Sequence, residues 1–177
     1  MRSRKIAIAT AGLMAVLVSG CGTSSAKSAM PTLHASRVKD YKTFAELKQD
    51  STAVVKVTAS GSVKDGLNKI PTTVTTVNVD SVLWGKVPAK SLAIQQLGRS
   101  NMKLDDTGAL LVAGRQYLLF VQPFHLTRGD NTSLYQITGG QGVYQLDKKN
   151  SEYSFTGGGA PKLPKEFAAE EAVNRTR

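Results

Sequence analysis

The chain has 177 residues, 41% of them hydrophobic, with one cysteine and 23 basic against 13 acidic residues, a formal charge of +10. That length suits one domain with a real core and leaves little room for two. A lone cysteine excludes any intramolecular disulfide framework.

The N-terminus carries an address. Arg2, Arg4 and Lys5 make a basic start, the thirteen residues from Ile6 to Val18 are uncharged, and Val18-Ser19-Gly20-Cys21 follows. A charged start, a short apolar stretch and small residues before a cut site describe a secretory signal. The apolar run falls short of the roughly 18–20 residues that a membrane-spanning helix needs. With Leu17 in front, Val-Ser-Gly-Cys resembles the lipobox of bacterial lipoproteins. The resemblance implies cleavage between Gly20 and Cys21, and a diacylglycerol thioether on Cys21. It also implies a freed amino group open to acylation, for instance by palmitate. Stable anchoring takes about two acyl chains, and the diacylglycerol thioether supplies both. The alternative is an ordinary signal peptide cut later, near Ala26 or Ala29, with Cys21 there by chance.

Under the lipobox reading the mature protein is anchored on the extracytoplasmic side of the cell membrane. Removing residues 1–20 from 177 leaves 157, with 20 basic residues (three of 23 lost) against 13 acidic, a formal +7. Such a charge suits an anionic envelope polymer, an anionic membrane or a protein partner. A merely solvated surface is the plainer alternative, because no basic run in the mature chain exceeds Lys148-Lys149. Nucleic acid is not an expected partner outside the cell.

In chain order, residues 21–36 are small and polar with one proline, the composition of a flexible, lipidated tether. Residues 37–156 follow as the β domain. Thr43-Phe-Ala-Glu46 has the spacing of a capping box, so a short amphipathic helix with Phe44 and Leu47 inward is expected to end near Asp50. The period then becomes strand-like. Ala53–Ala59 alternates as a half-buried strand. Thr72–Trp84 is rich in β-branched residues, and its apolar phase shifts between Val77-Val79 and Val82-Trp84, which predicts a bulge. Ser91–Leu97 is a third strand. Gln116–Gln122, continuously apolar at its centre, is a central one. Leu134–Thr138 and Val143–Leu146 are expected to pair as a hairpin across Gly139-Gly140-Gln141-Gly142, and Tyr153–Phe155 to add an edge. Residues 157–177 begin rich in glycine and proline, and Pro164 is placed to open a final helix over Lys165–Asn174.

These elements predict a mainly β barrel of about five to seven strands with short N- and C-terminal helices. AVVKVTA (53–59), VDSVLWG (79–85), Leu92–Leu97 and GRQYLLF (114–120) occur in an order that resembles the netrin-like and metalloproteinase-inhibitor OB barrels over roughly residues 50–146. That implies an OB-like core of five strands. It does not bring inhibition with it, because those inhibitors use a disulfide-held N-terminal cysteine amine on a catalytic zinc. Here Cys21 is expected in lipid, and no other cysteine exists.

Chemistry is sparse. Asp106-Thr107-Gly108-Ala109 matches the tetrapeptide around an aspartic protease carboxylate, but that reaction needs two aspartates sharing a proton. The chain has one copy, so only a symmetric dimer would qualify. The same residues are good turn formers. His34 and His125 are too few for a triad or a metal site. Gly139, Gly140 and Gly142 suit a hairpin turn better than a phosphate cradle. Trp84 and Tyr117 are candidates for an aromatic ligand face, with core packing as the alternative. No catalytic residue, metal ligand or cofactor is assigned. The expected function is a non-catalytic binding or interaction module on the cell surface. The alternative is a small envelope enzyme or enzyme inhibitor.

Overall fold

A computed structural model describes residues 30–34, 39–67, 69–105, 107–125, 132–157 and 162–174. The chain is mainly β. In order it forms β1 (Thr32–His34), α1 (Phe44–Gln49), β2 (Ala53–Leu67), β3 (Ile70–Gly85), β4 (Ser91–Leu97) and β5 (Lys103–Asp105). There follow β6 (Gln116–Pro123), β7 (Leu134–Ile137), β8 (Val143–Asp147), β9 (Glu152–Phe155), β10 (Glu166–Phe167) and α2 (Ala169–Asn174). Eight of the strands form one sheet in the order β10-β9-β8-β6-β2-β3-β4-β7. An additional pairing of β7 with β6 closes five of them, β2, β3, β4, β7 and β6, into a ring. Within it β4 and β7 run parallel, and the other pairings are antiparallel.

The sheet has an apolar cluster on each face. Inside the ring lie Val55, Val57, Val77, Ile94, Leu119 and Val121. Outside it, beneath the helices, lie Phe44, Leu47, Val54, Phe120, Tyr144 and Phe167. This explains why the core of β6 is continuously apolar: Tyr117, Leu119 and Val121 face inward while Leu118 and Phe120 face outward. A strand buried on both faces cannot alternate.

The phase shift in β3 is a pair of bulges. Val54 pairs with Trp84 but Val55 with Val82, and Lys56 pairs with Ser81 but Val57 with Val79, so Leu83 and Asp80 are each extra on β3. Val77 and Val79 therefore meet the inner cluster, whereas Leu83 and Trp84 meet the outer one. Helix α1 begins where the capping box places it. The Glu46 amide donates to Thr43 Oγ1 at 3.2 Å, while the Glu46 carboxylate accepts from the Lys42 amide at 2.9 Å, one residue before the usual site.

Four expectations need correction. The strand expected to stop at Ala59 runs on to Leu67, where it forms a two-stranded arm with β3 that is mostly exposed and held by backbone pairing. β7 and β8 are not a hairpin. Both pair with β6 on the edge opposite β2, end to end: β8 opposite Tyr117–Leu119 and β7 opposite Val121–Pro123. The chain steps between them through a 3-10 turn at Thr138–Gly140, and the buried Gln141 side chain accepts from the Tyr41 amide at 2.8 Å. The last helix starts at Ala169, not Lys165, because Phe167 pairs with Tyr153 and packs its ring 4.7 Å from those of Phe44 and Tyr144. Finally, Thr32–His34, expected within the tether, pair in parallel with Lys103–Asp105.

Candidate functional site

Toward one end, the ring's interior changes character. Cross-strand partners share a face, so the inner face of β3 and β4 reads Val77 with Leu92, then Thr75 with Ile94, then Thr73 with Gln96. On β2, Ser62 and Lys64 continue that face opposite Thr75 and Thr73. An apolar interior thus opens onto a polar mouth where the arm begins.

The segment from Thr107 to Ala113 forms the facing wall, and Gln96 holds it there. Its Nε2 donates to the Ala109 carbonyl at 2.8 Å, and its Oε1 accepts from the Leu111 amide at 3.0 Å. The Val112 amide donates to the Tyr117 hydroxyl at 3.0 Å, and Thr73 Oγ1 donates to the Gly98 carbonyl at 2.8 Å. Between the walls is a cleft of about 690 Å³, within the range of small-molecule sites, about 300–1,000 Å³. Met102, Leu110, Leu111 and Val112 supply apolar lining; Lys64, Arg99, Thr107 and Thr156 supply polar lining.

Several of those polar groups are buried without a partner. The hydroxyls of Thr107 and Thr156 and the Nε of Arg99 make no hydrogen bond, and neither does Thr75 Oγ1 behind them. Such groups are uncommon in folded proteins. Arg99 is placed by its Nη2, which donates to the Asp65 carbonyl at 3.0 Å. The arrangement places residues with unsatisfied donors and positive charge beside an apolar wall.

Of the described residues singled out from the sequence, only Thr107 and Ala109 of the Asp106–Ala109 tetrapeptide line the cleft. Tyr117 is in the inner cluster and Trp84 packs on the outer one, with Lys48 Nζ 5.5 Å from its ring centroid. They sit on opposite faces of the sheet and make no common ligand face. Gly20, Cys21 and Asp106 lie outside the described residues, as does the whole signal segment 1–20. His125 is exposed beyond the end of β6, and among the described residues no three His, Cys, Asp or Glu side chains group as metal ligands. The glycine-rich turn is filled by protein: a Cβ on Gly142 would lie 2.8 Å from Phe120 Cβ, and one on Gly139 would strike the Tyr41 ring. Lys64, Gln96, Arg99, Thr107 and Thr156 were not legible as a site. The only regularity near them in sequence is the threonine-rich run Thr72-Thr-Val-Thr-Thr76, which strand propensity explains equally well.

No protein-family description, curated protein or solved structure matches the chain.

Replacing Gln96 with leucine should leave the Ala109 carbonyl and the Leu111 amide unpaired. The expected cost is about 1–3 kcal/mol, with amide exchange accelerated at 109–112 more than in β6. Unchanged exchange there would mean that Gln96 does not hold the wall.

Proposed function

We propose that this protein is an exported binding module, anchored by lipid at Cys21 to the extracytoplasmic side of the cell membrane, that takes a small ligand in the cleft. The observation that carries the binding half is a cleft of about 690 Å³ whose lining includes three residues with buried, unpartnered donors, Arg99, Thr107 and Thr156. Support for the anchor comes from the Val18-Ser19-Gly20-Cys21 step behind its basic and apolar leader. We further assign the ring to the OB-like class. Numbered among themselves, its five strands run first-second-third-fifth-fourth and back to the first, with the third and fifth parallel, an order that supports a five-stranded Greek-key barrel of that class. The formal +7 of the mature chain favours an anionic component of the envelope as a neighbour.

Each half has its own test. Cys21→Ala should abolish lipid labelling and leave either unprocessed precursor or a released soluble form. A variant that still matures at the same site and pellets with membranes after a high-salt wash would remove the anchor from the proposal. For the binding half, a low-molecular-weight extract of the envelope should shift the amide resonances of Lys64, Thr107 and Thr156 while leaving α1 unmoved. No change at those three would count against a ligand cleft.

A further inference from the structure

Resting on the binding reading above, we propose that the cleft's ligand is a small amphiphile with one oxyanion, carboxylate or phosphate, on an apolar body. The charged residues among the described lining are Lys64 and Arg99, both cationic. Lys64 makes no ion pair with any described residue. Arg99 is positioned by a neutral backbone carbonyl, so its charge is not compensated there. A guanidinium nitrogen buried without a partner forfeits a hydrogen bond that an anionic oxygen would restore in strong, charge-assisted form. Thr107 and Thr156 line the same cleft with buried, unpartnered hydroxyls, and a rotation of either side chain toward the ligand would let it donate to the same kind of acceptor.

The other wall decides the rest of the molecule. Met102, Leu110, Leu111 and Val112 offer no polar side chain, and a bare inorganic anion would leave them wet. A neutral apolar ligand would cover them but leave the two cations facing nothing. Only a molecule with both ends satisfies both walls. Few polar groups fixing the orientation of a mostly apolar ligand is the usual pattern of such sites.

The test uses the unlipidated full-length chain and four probes: octanoate, octyl phosphate, octanol and inorganic phosphate. Amide resonances of Thr107, Thr156 and Lys64 report on the cleft, and those of α1 serve as a control. Octanoate or octyl phosphate should bind at least about tenfold more tightly than octanol or inorganic phosphate, as expected for gaining a charge-assisted hydrogen bond. Whichever of the two binds more tightly identifies the source of the oxyanion. Arg99→Gln should weaken the charged amphiphile by about tenfold and leave octanol unchanged. Lys64→Gln, on the exposed arm where folding is not at stake, should weaken it less and flatten its salt dependence. Octanol binding as tightly as octanoate overturns the anionic head while leaving the binding module intact. Inorganic phosphate binding as tightly as octyl phosphate overturns the apolar body. Failure of all four probes to move the cleft resonances overturns the ligand class, and the envelope-extract experiment then decides separately whether the cleft binds anything.

Discussion

Phe120→Ala should lower the free energy of unfolding by about 3–5 kcal/mol, the cost of emptying a large aromatic site in a packed core. Phe120 is fully buried and stacks on Phe44 at 5.8 Å with an interplanar angle of 4°. Tyr144 meets it edge-on at 6.5 Å. Neighbours cannot close over the gap easily, because the Phe120 backbone is fixed between β2 and the turn at Gly142. Tyr144→Phe should act in the opposite direction. The Tyr144 hydroxyl is buried without a hydrogen-bond partner, and burial pushes its ionisation well above the ordinary tyrosine range. Removing an orphaned hydroxyl without changing the ring is expected to stabilise by about 1 kcal/mol or more. Denaturant unfolding of the two variants checks both signs. A loss below about 1 kcal/mol for Phe120→Ala would mean that the outer cluster is not a packed core.

Gly85→Ala is expected to cost about 2–5 kcal/mol, from the left-handed backbone and from overpacking together. Gly85 has φ +75°, and a Cβ there would strike the Thr52 carbonyl oxygen and lie 2.9 Å from Ala53 Cα. Both obstacles are backbone, and Ala53 is a paired residue of β2, so neither can swing aside. Gly114→Ala separates the two contributions. Its φ is similar, +78°, yet a Cβ there meets nothing within 4 Å. It should therefore cost only the conformational part, about 1–2 kcal/mol. Equal losses in the two variants would show that the close approach at Gly85 contributes nothing.

What could be read from the residues follows a physical line. β4 begins and ends at Ser91 and Leu97, the bounds expected of it, and β6 differs from its expected bounds by a single residue, because apolar stretches between polar flanks report burial. The bulges of β3 were legible for the same reason: an extra residue inverts the phase of every side chain after it. The arm from Ser60 to Pro71 was not. Its Ser-Gly-Ser-Val-Lys-Asp-Gly composition reads as a loop, and a strand pair held by backbone hydrogen bonds leaves no apolar record. The misassigned β7–β8 hairpin is a different failure. Two short strands around glycines look alike whether they pair with each other or lie end to end on a third. The deciding fact is the eight-residue length of β6, which accommodates both. The cleft was illegible because it is assembled from five separated stretches, and its unpartnered threonines, Thr107 and Thr156, are ordinary polar loop residues until the fold withholds partners from their hydroxyls.

The ring also sets an order of events for folding. β2 and β3 are neighbours in the chain and join through a short reversal, so the arm and its bulges can form alone. Closure needs much more: β6 must find β2, and β7 must then bridge β6 and β4. Such distant pairings bear their loop-closure entropy before any contact rewards it, which makes them slow. During that wait β6 has both of its apolar sides uncovered, since its inner cluster needs residues of β2, β3 and β4 and its outer one needs α1 together with Leu163, Phe167 and α2. If the protein is exported as proposed, the stretch from Tyr117 to Val121 is where a chaperone of the envelope is expected to hold it. That grip becomes unnecessary once β7 closes the ring and Phe44 and Phe167 cover the outer face.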